Sequence, residues 1–162
     1  TRHSTLFPYT TLFRSEKTIK GTVSYVPENH EYMVKMRDEK VKRVLEKVPD
    51  LEVFGDKDGD LLLTGWGGTY GHLLTAVKEL RAEGYSISLA GFNYINPLPA
   101  NTADVFRRFK KIAVCELNLG QFADYLRMKL QDFRYYQLSK VQGLPFTVRE
   151  IKEFCIKLLE EK

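Results

Sequence analysis

The chain has 162 residues, 43% of them hydrophobic and 28% charged, which describes an ordinary globular protein long enough to bury a sizeable core. No apolar run approaches the roughly 20 residues that a membrane-spanning helix needs, so a membrane protein is not expected. The net charge of +4 falls to +2 once Arg2 and Arg14 are set aside, and the remaining charges alternate in sign without forming a basic stripe, which speaks against a nucleic-acid partner.

Residues 1–15 read as foreign. There is no initiating Met, Thr-Leu-Phe recurs at 5–7 and 11–13, and Pro8 interrupts an apolar stretch already too short for a signal peptide. The expectation is an artefactual leader resembling translated adapter sequence, with a true polypeptide that begins upstream; a real but disordered arm is the alternative.

Residues 16–29 are polar and rich in turn formers. From about 30 to 48, Val34, Val41, Val44, Leu45 and Val48 keep helical spacing between charged neighbours, and Pro49 stops the pattern. "DLEVFGDKDGD" follows as a hinge-like segment. Residues 61–66 form a continuous apolar run, as expected of a strand buried on both faces. The helix over 70–83 buries Leu73, Leu74, Val77 and Leu80, with Gly84 placed as its C-terminal cap.

A second strand is expected at 85–92, broken by "NPLP". Asn101 starts a short helix with Asp104 in its first turn. A third strand covers 111–116, a helix 120–130, and a fourth strand 133–139. Thr147 and Glu150 are spaced as a capping box for the last helix, with Phe146 and Ile151 as its hydrophobic staple. Cys155 then lies on the buried face of that helix.

Strands alternating with helices predict an α/β fold: a mostly parallel sheet in a three-layer α/β/α arrangement, joined by right-handed crossovers. The expected organisation is a helical linker over 16–51 and one α/β domain over 52–162. Ligands and partners of such sheets gather at the carboxyl ends of the strands. Here those ends are "GWGGTYG", "NYINPLP", "ELNLGQ" and "KVQGLP". The rim candidates are Gly65, Trp66, Gly67, Gly68, Thr69, Tyr70, Glu116, Asn118 and Gln121, with Leu144 and Phe146 as further large apolar groups beside them.

The familiar site motifs fail one by one. Gly65 and Gly67 fit the first two positions of a dinucleotide-binding GxGxxG, but the third falls on Tyr70 and the expected acidic residue is Asn93. There is no Lys-Ser/Thr pair for a P-loop, so the glycines read either as tight geometry or as a phosphate contact. Asp56, Asp58 and Asp60 suggest a calcium loop, but the Gly it needs next is Leu61 and the Glu it needs at its twelfth position is Gly67. Cys115 and Cys155 lie forty residues apart without a Cys/His cluster, so this chain alone is expected to bind neither zinc nor an iron–sulfur cluster. Two thiols of this kind fit a reducing compartment, with a cytoplasmic location. Glu116 could act as an acid or base, or could with Asn118 arrange the loop before the next helix. His30 and His72 read as helix-start or packing residues.

"PENHEYMVKMRDEKV", "GWGGTYGHLLTAVKELRAEG", "FNYINPLPANTADVF", "VCELNLGQFADYLRMK" and "KVQGLPFTVREI" closely resemble the C-terminal part of alpha subunits of 2-oxoacid:ferredoxin oxidoreductases, with the 2-oxoglutarate type nearest. The resemblance runs from residue 16 to about 160. It implies a transketolase C-terminal-like domain. It also implies a parent enzyme that decarboxylates a 2-oxoacid on thiamine diphosphate and magnesium, passes electrons through iron–sulfur clusters to ferredoxin, and releases an acyl-CoA.

A beta subunit is the implied partner, and the substrate could equally be pyruvate or a branched 2-oxoacid. The thiamine motifs themselves are absent from this chain: Gly59-Asp60 is followed by Leu61, with no paired asparagines downstream. The expectation is therefore a structural and subunit-contact domain with no catalytic residue and no cofactor bound on its own. The rival reading is a stand-alone flavodoxin-like module for a nucleotide or flavin.

Overall fold

The computed structural model describes residues 15–161; the leader expected at 1–15 falls almost entirely outside them. The chain forms two compact units, one ending at Lys47 and one beginning at Val48.

In the first unit, β1 (Glu16–Lys17) and β2 (Val23–Ser24) pair antiparallel and are followed by α1 (Pro27–Val44). The helix starts ahead of the expected residue 30 because Pro27 sits at its first turn, where a missing N–H costs nothing. None of its residues is buried, so the apolar spacing read from Val34, Val41 and Val44 marks an exposed stripe. Glu16 accepts from Arg37 Nη2 at 2.6 Å, a contact that pulls its carboxyl down to about 2. His30 is exposed, its Nδ1 3.9 Å from Glu16.

The second unit carries the α/β pattern. β3 (Gly59–Trp66), α2 (Tyr70–Ala82), β4 (Ile87–Phe92), α3 (Thr102–Phe106), β5 (Phe109–Glu116), α4 (Gln121–Lys129), β6 (Tyr135–Ser139) and α5 (Val148–Glu160) alternate in chain order. The four strands are parallel, in spatial order β4-β3-β5-β6. Every expected strand and helix of this unit is present, with ends shifted by a few residues.

Two-fold alternation along the central strands builds the layers. Leu61, Leu63, Ala113 and Cys115 face one way and pack against α2 and α5; Leu62, Ile112 and Val114 face the other and pack against α3 and α4. β3 is therefore apolar on both faces, which is why residues 61–63 read as an uninterrupted leucine run. Both cysteines are buried in the α2/α5 layer. Burial pushes the Cys155 thiol up to about 12 and the Cys115 thiol well above its ordinary value, Cys155 and Glu116 adding to the effect on Cys115.

Local signals fix the helix ends. Gly84, at φ +93°, donates to Arg81 O while Tyr85 donates to Leu80 O, the paired bonds of a Schellman cap on α2. Asn101 differs from expectation. It precedes α3 but caps nothing there; its side chain accepts from Leu51 N at 2.7 Å and donates to Leu51 O at 3.1 Å. That amide pins the incoming segment, and Leu51 is buried in the α3/α4 layer. This places the start of the unit slightly ahead of residue 52.

The α5 capping box forms as read. Glu150 N donates to Thr147 Oγ1, Thr147 N donates to Glu150 Oε2, and Lys140 Nζ donates to both Glu150 oxygens and to Pro145 O. The Thr147 backbone first, then Lys140, hold the Glu150 carboxyl at about 2 instead of 4.5. A carboxyl held low contributes stability that is complete above pH 4.5 and is lost as pH falls towards 2. Thr147→Ala is expected to cost about 1 kcal/mol at pH 7. Glu150→Gln should flatten the acid limb of the stability curve between those two pH values. Urea unfolding of the three proteins at pH 7, 4 and 3 checks both.

Candidate functional site

In the order β4-β3-β5-β6 the chain leaves β3 towards one edge of the sheet and β5 towards the other. The crevice at their carboxyl ends is the topological switch point, where sheets of this type bind ligands. Gly65 stands in register with Cys115, so Trp66 and Glu116 end neighbouring strands. The candidate groups of the Gly65–Tyr70 turn and of the Glu116–Gln121 loop are thereby brought side by side.

The first turn is shaped by close packing. A Cβ on Gly65 would lie 2.9 Å from Cys115 O, 2.8 Å from Thr69 Oγ1 and 2.7 Å from a Leu73 methyl, so no side chain fits. Thr69 is buried and donates from its hydroxyl to Trp66 O at 2.9 Å, closing the turn. Gly67 takes φ +59°, while Gly68 faces open space. Tyr70 opens α2 and lays one ring edge over Gly91 of β4, where a Cβ would come within 2.5 Å of it. The rest of the ring is exposed, as is Trp66.

The second loop is held by two side chains. Glu116 is 1% exposed; its Oε2 accepts from Phe122 N at 2.7 Å and its Oε1 from Ala123 N at 2.9 Å. Asn118 Oδ1 accepts from Gly120 N at 2.7 Å and from Gln121 N at 3.2 Å. Gln121 itself is exposed. Of the two roles open to Glu116, the structure shows the loop-arranging one: both carboxylate oxygens are spent on backbone N–H groups.

This geometry also tests the cofactor implied by the resemblance. A diphosphate could use the N-terminus of α4, where unpaired N–H groups and the helix dipole attract anions. The N–H groups of Gly120, Gln121, Phe122 and Ala123 are all taken by Asn118 and Glu116. Among the described residues no group of three or more His, Cys, Asp or Glu could hold a metal ion. Asp56 pairs with Arg81 at 2.9 Å and Asp60 with Lys110 at 2.6 Å, so two of the three calcium-loop candidates are ion-paired. His72 is half-buried in the first turn of α2. The N-terminus of α4 therefore has no free donor among these four groups to offer a diphosphate, and no catalytic step is assigned to the rim.

Phe146 departs from the apolar rim group read from the sequence: it is 2% exposed and packs in the α2/α5 layer as the staple of α5. Leu117, Leu119 and Val141 were missed; all three are exposed on rim loops. Their signal was available as apolar residues inside otherwise polar turns after strands. A second feature was not legible at all. A cleft of about 580 Å³ lies between Pro49–Phe54 and the Tyr70–Gly91 contact, with Asn93 and Tyr94 on its wall. Its Pro49–Phe54 wall includes Leu51, which Asn101, fifty residues away in sequence, holds.

No family model matches the chain. Over 137 residues it is 44% identical to the 2-oxoglutarate oxidoreductase subunit KorA of Mycobacterium tuberculosis, a match covering 83% of this chain and 20% of that protein. It is 30% identical to subunit alpha of 2-oxoacid:ferredoxin oxidoreductase 1 of Aeropyrum pernix, covering 86% of this chain and 23% of that one. Among solved structures, it superposes with TM-score 0.79 and 28% identity on the 2-oxoglutarate:ferredoxin oxidoreductase of Magnetococcus marinus with 2-oxoglutarate, coenzyme A and succinyl-CoA bound, covering 90% of this chain and 26% of that one. A split-gene transketolase shares the fold, with TM-score 0.50 and 16% identity. The chain thus spans about a fifth to a quarter of the length of the three oxidoreductase chains named here.

Glu116→Gln replaces one acceptor by a donor that faces a buried N–H, and is expected to cost about 1–3 kcal/mol in urea unfolding. Gly65→Ala overpacks the turn and should cost about as much. A Glu116→Gln protein of unchanged stability would remove the structural assignment of this carboxylate.

Proposed function

The chain belongs with the alpha subunits of 2-oxoacid:ferredoxin oxidoreductases, and we propose that it is the C-terminal, transketolase-like domain of one that acts on 2-oxoglutarate. The observation that carries the substrate reading is the 44% identity to a 2-oxoglutarate oxidoreductase subunit over most of the chain. The parent enzyme would convert 2-oxoglutarate and CoA to succinyl-CoA and CO2, and two oxidised ferredoxins would take up the two electrons released.

Thiamine diphosphate, magnesium and iron–sulfur clusters would be held by parts of that enzyme outside this chain, and a beta subunit is the expected partner. This agrees with a rim whose carboxylate and helix terminus are already committed to one another. The chain's own contribution is structural: a rigid sheet that carries the Trp66–Tyr70 turn and the Glu116–Gln121 loop as contact surfaces. A stand-alone flavodoxin-like module shares the strand order, but the relatives favour the oxidoreductase.

The complete alpha–beta complex is expected to reduce a viologen or ferredoxin with 2-oxoglutarate and CoA. Its kcat/KM should exceed that for pyruvate or a branched 2-oxoacid by about tenfold or more. The chain of 162 residues by itself should give no turnover. Preference for pyruvate overturns the substrate reading, and turnover by the isolated chain overturns the assignment of the chemistry to other parts.

A further inference from the structure

Among the described residues, α1 carries an apolar stripe that nothing covers. At about 3.6 residues per turn, His30, Val34, Arg37, Val41 and Val44 share one face of the helix, and Leu45 continues it just past the end. Val34, Val41, Val44 and Leu45 are all exposed. The neighbouring face is occupied differently: Met33 and Met36 line a small hollow together with Lys17, Thr18 and Ile19 of the β1–β2 hairpin. On the other flank Glu31 pairs with Lys35 and Asp38 with Lys42, so the charges beside the valines are matched within the helix. An 18-residue helix with no buried residue, and a hairpin of two-residue strands, are each marginal in water. Valine also loses rotamer freedom in a helix, so three of them facing solvent weaken α1 unless something packs on them.

The path of the chain says what reaches that stripe. Glu16 opens β1, and its Oε2 accepts from Arg37 Nη2 at 2.6 Å and lies 3.9 Å from His30 Nδ1. Both partners belong to the valine face, and Arg37 stands between Val34 and Val41, at the middle of the stripe. Lys17 is held elsewhere: its carbonyl accepts from Asn29 Nδ2 at 3.1 Å. Asn29 lies about 100° around the helix from His30, on the side of Met33 and Met36. From Lys17 back to Glu16 the chain therefore passes from the hairpin side of α1 to the valine face. Whatever precedes Glu16 in the polypeptide is delivered there.

We propose that the valine face of α1 is the seat of the polypeptide that directly precedes Glu16 in the full-length alpha subunit, a proposal resting on the reading that this chain is the C-terminal part of such a subunit. In that protein the occupant stands where this sequence carries the foreign-looking residues 1–15. The matches cover 20% and 23% of two relatives, so a large body of chain is available to supply it. Joined to Glu16 and anchored through Arg37, it meets the stripe at an effective concentration in the millimolar range, which a separate subunit does not enjoy. Because the flanking charges are already matched, the side chains it brings are apolar. Covering Val34, Val41, Val44 and Leu45 removes from water apolar area that α1 leaves open, and supplies the packing that the helix lacks.

Photo-cross-linking of the full-length alpha subunit, alone and with its beta subunit, tests this. A benzophenone side chain placed at Val41, and separately at Val34, should link to the segment before Glu16 of the same chain in both states. A link to the beta subunit, to a second alpha subunit or to residues 48–162 assigns the face to that occupant and overturns the proposal. No link from either position leaves the face open and overturns it as well. Val41→Asp in the full-length subunit should speed amide hydrogen exchange over residues 30–45 by about tenfold or more while β3 and β5 remain protected. An unchanged rate, as for a substitution on open surface, counts against any cover on the valines. The expected link in a complex that oxidises no 2-oxoacid would discard the proposed activity and keep this contact; turnover of 2-oxoglutarate by a complex without the link would do the reverse.

Discussion

The carboxylate of Glu116 meets the N-terminus of α4 inside the protein, and much of the rim depends on that contact. A carboxylate that is 1% exposed would carry a large desolvation cost if left unpaired. Here two backbone N–H groups at 2.7 and 2.9 Å and the positive end of the helix offset it. The same contact fixes where α4 starts relative to β5, and so sets the loop that exposes Leu117 and Leu119. It also occupies, with the protein's own anion, the place where a nucleotide-binding sheet would hold a phosphate.

That substitution explains why the start of α4, placed as in a cofactor-binding fold, has its N–H groups at Phe122 and Ala123 already paired. The switch-point crevice is present, and the glycine turn beside it is as tight as phosphate-binding turns are. The tightness serves packing instead: Gly65 lets Leu73, Thr69 and the Cys115 carbonyl close over β3, and Gly91 receives the Tyr70 ring. What distinguishes a binding site from a copy of its architecture is the state of the donors. In this rim the donors that can be traced at α4 are already paired.

The α/β unit was legible in the sequence where local rules decide the outcome. The leucine run at 61–63, Gly84 after α2 and the Thr147–Glu150 pair each encode their element within a few residues, and each formed as read. Asn101 and Glu116 were harder for the opposite reason. Asn101 has the identity of a helix cap but spends its amide on Leu51, a partner brought near only by the fold. For Glu116 the sequence offered two roles of equal standing, and only its burial and its partners separate them. Phe146 belonged to two patterns at once, rim and staple; the capping box beside it, which orients the start of α5, put it in the core.

The apolar rim and the buried sheet reflect one physical requirement acting at two scales. Inside the unit, alternation along β3 and β5 supplies leucine, isoleucine and valine to both helical layers, and those faces are closed. At the carboxyl ends the strands stop, alternation no longer applies, and Trp66, Leu117, Leu119 and Leu144 have no layer to enter. Polar residues there would satisfy an isolated domain at no cost to its fold. Their apolar character suits the contact role proposed for the rim, as the leucines of β3 suit the layers formed by α2 and α3. The sheet ends where its own helices can no longer cover it, and the apolar side chains beyond that point stay exposed on the rim.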